Sequence, residues 1–73
     1  MSRDWRLYLD DMREACGKIV RYIGDMNKDA FIADEKTYDA VLRNLEVIGE
    51  ASKQLPSEVQ SRRSEVDWRK VAG

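Results

Sequence analysis

Residues 34–55 read DEKTYDAVLRNLEVIGEASKQL. At helical spacing, Tyr38, Val41, Leu42, Leu45, Ile48, Gly49 and Ser52 fall on one face. Ala40, Val47 and Ala51 lie round the side, and Leu55 with Ile48 joins the two groups. The apolar arc covers more than half of the circumference. A helix resting on one neighbour needs a stripe of only roughly 100°. Asp39, Arg43, Glu46, Glu50 and Lys53 fill the remaining sector. This segment is therefore expected to be the central helix of a bundle, covered from two directions.

Upstream, residues 3–23 (RDWRLYLDDMREACGKIVRYI) predict the first helix. Trp5, Tyr8, Leu9, Met12, Ala15, Cys16, Ile19, Val20 and Ile23 recur at three- and four-residue intervals and form one stripe. Cys16 lies on that stripe and is expected to be an inert core residue. Ser2 or Asp4 can cap the start, and Gly24 stands where a C-terminal cap is expected. Residues 25–33 (DMNKDAFIA) connect the two helices through a short helical turn capped by Asn27 and anchored by Phe31 and Ile32. Asp34 caps the central helix, and Glu35 in its first turn suits the dipole.

Downstream, Pro56 is expected to end the central helix at Leu55 and to open a short helix over residues 57–63. Asp67 caps a further start at Trp68, and the sequence reaches Gly73 one turn later. So short a helix can be held only by packing. Two readings of this end stand: a tail whose Trp is tucked into the core, or the opening turn of something longer.

Seventy-three residues suffice for one small domain, residues 1–73. Apolar residues make up 42%, a globular composition, and charged residues 37%, which suits solvated helix faces. The net charge of −1 supplies no global basic field for nucleic acid or an anionic membrane. A single cysteine excludes an intrachain disulfide and a cysteine metal cluster. There is no histidine. That removes the usual acid or base near neutral pH, the usual metal ligand, and every Ser-His or Cys-His nucleophile pair. No cofactor is implied. No signal peptide or long apolar span is present, so no membrane role and a cytoplasmic location are expected.

RDWRLYLDDMREA at the start, the run AVLRNLEVIGEASKQLP from Ala40 to Pro56, and VDWRKVAG from Val66 to Gly73 together resemble the HepT-like branch of the HEPN superfamily. The order of Arg43, Asn44, Glu46, Gly49 and Glu50 carries the specific part of the likeness. Asp67 departs from it, since the family more often has Pro before this Trp. The resemblance implies an all-α, antiparallel up-and-down bundle of about four helices. It implies a homodimer and a minimal nucleotidyltransferase partner in a toxin–antitoxin pair. It implies metal-independent endoribonuclease activity. Its chemistry is attributed to an Arg, a polar residue and then a His on the last long helix, just after the segment resembling Trp68–Gly73; in some members a Tyr follows. The sequence stops before those positions, so no residue here inherits a catalytic role. The last helix is expected to be truncated, and RNA is expected as a partner only where that helix is present.

Metal-free RNA cleavage through the ribose 2′-hydroxyl needs a proton-transfer group near neutral pK and a cation at the phosphate. Arg43, Arg62, Arg69 or Lys70 could hold a phosphate, but none supplies the proton transfer. These 73 residues are thus expected to be inactive as a ribonuclease. Glu46 and Glu50, four apart, share a face and could form a carboxylate pair. Arg43 and Lys53 at three-residue spacings make a neutralised, solvated face the simpler reading. A third reading places Arg43, Glu46 and Glu50 along a cleft or partner contact. Gly49 in mid-helix implies close packing of another element. Ala40, Val47, Ala51 and Leu55 are expected at a homodimer interface or under a further helix.

Overall fold

The computed structural model describes residues 3–73. They form five helices: α1 (Trp5–Ile23), α2 (Lys28–Ala33), α3 (Glu35–Ser52), α4 (Ser57–Ser61) and α5 (Trp68–Ala72). The expected all-α bundle is observed, carried by two long helices and three short ones.

Local chemistry sets the boundaries. The Asp4 carboxylate caps α1 by accepting from the Arg6 N–H at 2.9 Å. Ser2, the other candidate cap, lies outside the described residues. Gly24 closes α1 at φ +51°, a backbone region that side chains disfavour, and its N–H donates to the Val20 carbonyl at 3.0 Å. The Asn27 side chain caps α2 at 2.8 Å from the Ala30 N–H. Asp34 serves two helices. Its N–H donates to the last carbonyls of α2, and its carboxylate accepts from the Thr37 N–H at 3.1 Å to start α3.

The central helix ends at Ser52, three residues before the expected Leu55. Gln54 and Leu55 instead donate three residues back, to Ala51 and Ser52, in a tightened last turn. Pro56 disfavours helical geometry at Leu55, which accounts for the early stop. Pro56 then stands as the N-cap of α4, and α4 ends at Ser61 rather than at residue 63.

α1 and α3 pack together as an antiparallel hairpin: Tyr8 and Asp11 near the start of α1 border the same groove as Ala51 and Gln54 near the end of α3. Ala15, Val41, Ala51 and Leu55 form its buried apolar centre. Ser52 is buried among them, and its hydroxyl donates to the Gly49 carbonyl at 2.7 Å, so no polar atom there is left unpaired. α2 rests on the start of α3, with the Phe31 and Tyr38 rings 5.5 Å apart.

The C-terminal segment is tied to this hairpin by Gln60, and α5 is tied to that segment by Trp68. The Gln60 amide donates to the Ser52 carbonyl at 3.1 Å. The Trp68 indole donates to the Gln60 and Arg63 carbonyls at 3.1 and 3.2 Å. α5 is thereby laid across α3 at Gly49. A Cβ at Gly49 would come within 3.1 Å of the Val71 carbonyl oxygen and 3.4 Å of that of Ala72. The missing side chain is what admits α5.

Two sequence expectations are corrected. Cys16 is exposed, not buried. Leu9 and Val20 on the same edge of α1 are exposed too, Val20 to 71%. The α1 stripe is wider than the single helix it packs against, so its far edge has no cover. The arc of α3 is likewise covered on one side by α1 but on the other only at Tyr38, by Phe31 of α2, and at Gly49, by α5. Leu42 and Leu45 remain open there, at 46% and 52%.

Candidate functional site

The polar sector of α3 faces a shallow groove of about 1050 Å³ between α1, α3 and α5. Arg43, Glu46 and Glu50 line it from α3, Tyr8 and Asp11 from α1, and Lys70 from α5. The antiparallel register brings the first turns of α1 alongside the last turns of α3, and the Gly49 contact brings Lys70 to the opposite bank. The three residues singled out from the sequence thus share one groove. Tyr8 entered the sequence reading only as a core residue and Asp11 not at all. Asp11 lies three residues from Tyr8 and four from Ala15, beside the packed stripe, and that spacing is the signal that could have found it.

Within the groove the carboxylates do not converge. Glu46 pairs with Arg43 at 3.8 Å, and Glu50 with Lys53 at 3.1 Å, all four side chains largely exposed. Asp11 accepts from Arg3 at 2.8 Å, and this hydrogen bond raises the pKa of the guanidinium, whose plane also lies over the Tyr8 ring at 4.7 Å. No group of three His, Cys, Asp or Glu side chains among the described residues could hold a metal ion. The geometry offers alternating, individually neutralised charges, which suits complementarity to a polar partner surface better than acid–base chemistry. Exposed pairs of this kind are worth little to the fold. Glu46→Gln and Glu50→Gln are each expected to change the unfolding free energy by less than about 0.5 kcal/mol in urea titrations. A loss several times larger would mean that the groove is part of the structural core.

The positions expected at an interface turn mostly inward. Ala51 and Leu55 are each 5% exposed, within the chain's own core. Ala40 and Val47 are half-buried, and Val47 lines the groove. The apolar surface left free on α3 is that of Leu42 and Leu45. Arg62, one of the candidate phosphate holders, is tied to Glu58 at 3.5 Å, and its neighbour Arg63 to Glu65 at 3.6 Å. Among the described residues no helix is long and apolar enough to cross a membrane.

A helical hairpin with a short Trp-anchored helix across its central glycine defines the class: an all-α bundle protein. The family model for ribonuclease HepT-like proteins matches residues 12–73. The chain belongs to this HepT-like family of the HEPN superfamily. A candidate RNase of Methanocaldococcus jannaschii is 41% identical over 71 residues, which is 97% of this chain and 59% of that protein. A protein named probable ribonuclease HepT, from Thermococcus cleftensis, is 39% identical over 72 residues, 99% of this chain and 66% of that protein. A candidate RNase of Caldanaerobacter subterraneus subsp. tengcongensis is 34% identical over 68 residues, 93% of this chain and 61% of that protein. The chain therefore spans between 59% and 66% of the length of these relatives. No solved structure matches.

Proposed function

We propose that this chain is the helical body of a HepT-like toxin, whose complete form cuts RNA without a metal and is restrained by a minimal nucleotidyltransferase antitoxin in the cytoplasm. The observation that carries the reading is the family match across residues 12–73, on a chain whose named relatives include a probable ribonuclease HepT. In that reading the protein is a homodimer. The groove of Arg43, Glu46 and Glu50 is a cleft wall or partner contact, and RNA cleavage is supplied by an Arg and a His on a helix following α5.

The 73 residues themselves hold no histidine. Cleavage through the 2′-hydroxyl would leave them without a proton-transfer group near neutral pK. The purified 73-residue protein is accordingly expected to leave single-stranded RNA intact at a level set by a mock preparation. RNA cleavage that disappears on substitution of the chain's own residues, such as Arg43→Ala or Lys70→Ala, would overturn this.

The neutralised charges of the groove favour a second reading, a non-catalytic module that dimerises or binds a nucleotidyltransferase. The coding DNA past Gly73 separates the two. An open frame with Arg, a polar residue and then His supports the ribonuclease; a stop codon supports the binding module.

A further inference from the structure

We propose that Gly49 is a positioning residue for RNA cleavage by the complete protein: it sets where the chain leaves α5, and so where the helix that follows stands. This deepens the ribonuclease reading above and rests on it, because that reading places the Arg and the His on the helix following α5. The observation that carries it is a contact made by main chain on both sides. Gly49 is buried on α3. A Cβ there would stand 3.1 Å from the Val71 carbonyl oxygen and 3.4 Å from that of Ala72. A contact between side chains can be absorbed by a change of rotamer. A contact made by carbonyl oxygens of the main chain cannot, so the end of α5 stands where Gly49 lets it stand.

α5 is held at both ends. At its start, the Asp67 carboxylate caps the helix, and the Trp68 indole reaches the Gln60 and Arg63 carbonyls. At its end, Val71 and Ala72 rest on Gly49. This second hold fixes the direction in which the chain leaves. It also lies at the groove, which Val71, Ala72 and Gly73 border together with Glu46 and Glu50. α3 is an 18-residue helix packed along α1, whereas α5 has five residues. Volume added at Gly49 is therefore taken up by α5, and the displacement passes to whatever α5 leads into. Gly17, the glycine within α1, is the contrast. A Cβ there would meet the end of the flexible Arg21 side chain at 3.5 Å, an ordinary contact.

Cleavage through the 2′-hydroxyl is sensitive to such a displacement. It needs a proton-transfer group and a cation held together at one phosphate. A misplacement of about 1 Å can cost an active site about 10²-fold in rate. Gly49 touches neither RNA nor the reacting atoms in this reading; it acts through the seat of α5.

The test is steady-state cleavage of single-stranded RNA by the complete protein, expressed from its full reading frame. Gly49→Ala is expected to lower kcat about threefold and Gly49→Val at least about tenfold, with KM held within about twofold. Gly17→Ala should leave both constants unchanged. Circular dichroism should report the same helical content for Gly49→Ala, so this variant decides the matter if Gly49→Val does not fold. RNA cleavage with wild-type kcat in the folded Gly49 variants would overturn the positioning role and leave the ribonuclease reading standing. So would a rise in KM with kcat unchanged, which would make Gly49 a matter of RNA binding. An equal loss of kcat in Gly17→Ala would reduce the effect to a general response to added helix volume and overturn the role too. A wild-type complete chain that cuts no RNA, or a reading frame that stops at Gly73, would overturn the ribonuclease reading and this role with it.

Discussion

Leu55→Ala is expected to remove most of the stability of this chain. Among the described residues Leu55 is the largest of four buried apolar side chains, and the others are two alanines and a valine. Leu-to-Ala changes at such sites cost about 2–5 kcal/mol. A domain of this size rarely has more than about 3–5 kcal/mol to lose. The consequences also reach the backbone. Leu55 ends the tightened turn after α3, and its carbonyl lies 3.5 Å from the Gln60 amide that holds α4 in place. Loosening Leu55 therefore frees the C-terminal hook as well as opening a cavity. In urea titrations followed by circular dichroism, the variant should show a midpoint near zero denaturant or no cooperative transition. Leu7→Ala is the control, because Leu7 is already 44% exposed and should cost under about 1 kcal/mol. Similar losses for the two would mean that Leu55 is not the keystone of the core.

The helical hairpin was legible because both long helices repeat their apolar residues at the helical period, and Asp4, Asn27, Asp34 and Asp67 stand where caps belong. The width of the α3 arc also signalled cover from two directions. Which side takes which neighbour was not legible, since Ala40 and Val47 look no more core-like on a wheel than Leu42 and Leu45. Only tertiary packing decides it, and the shorter side chains turned out half-buried, with the larger leucines left open. Cys16 misled for the same reason: a stripe records what is apolar, not how much of it one partner can cover. At the candidate site, the local part was readable. Arg43 with Glu46 and Glu50 with Lys53 pair as their spacing suggests. Tyr8, Asp11 and Lys70 join them through tertiary register, which no local spacing encodes.

Gly49→Val is expected to lift α5 from the hairpin while leaving α1 and α3 folded. In propensity alone the change should help, because Gly in a helix interior costs up to about 1 kcal/mol. Packing reverses the sign. The first added carbon already stands 3.1 Å from the Val71 oxygen, and the two methyl groups of valine reach further towards the same backbone. Overpacking of this kind typically costs about 1–3 kcal/mol, and the neighbour that must yield is a five-residue helix with little stability of its own. α5 should give way before α3 does. Trp68 opens α5, so its surroundings loosen with that helix and its emission shifts towards that of a solvated indole, most cleanly read in a Trp5→Phe background. Backbone amides at 70–73 should exchange faster, with those of α1 and α3 unchanged. Gly49→Ala should show a smaller version of the same response, since its single carbon asks α5 to shift by only a few tenths of an ångström. If Gly49→Val instead raises the unfolding midpoint with Trp68 emission unmoved, α5 is not seated on this glycine. The propensity gain would then be the whole effect, and the reason for a glycine at the centre of α3 would have to be sought in another partner.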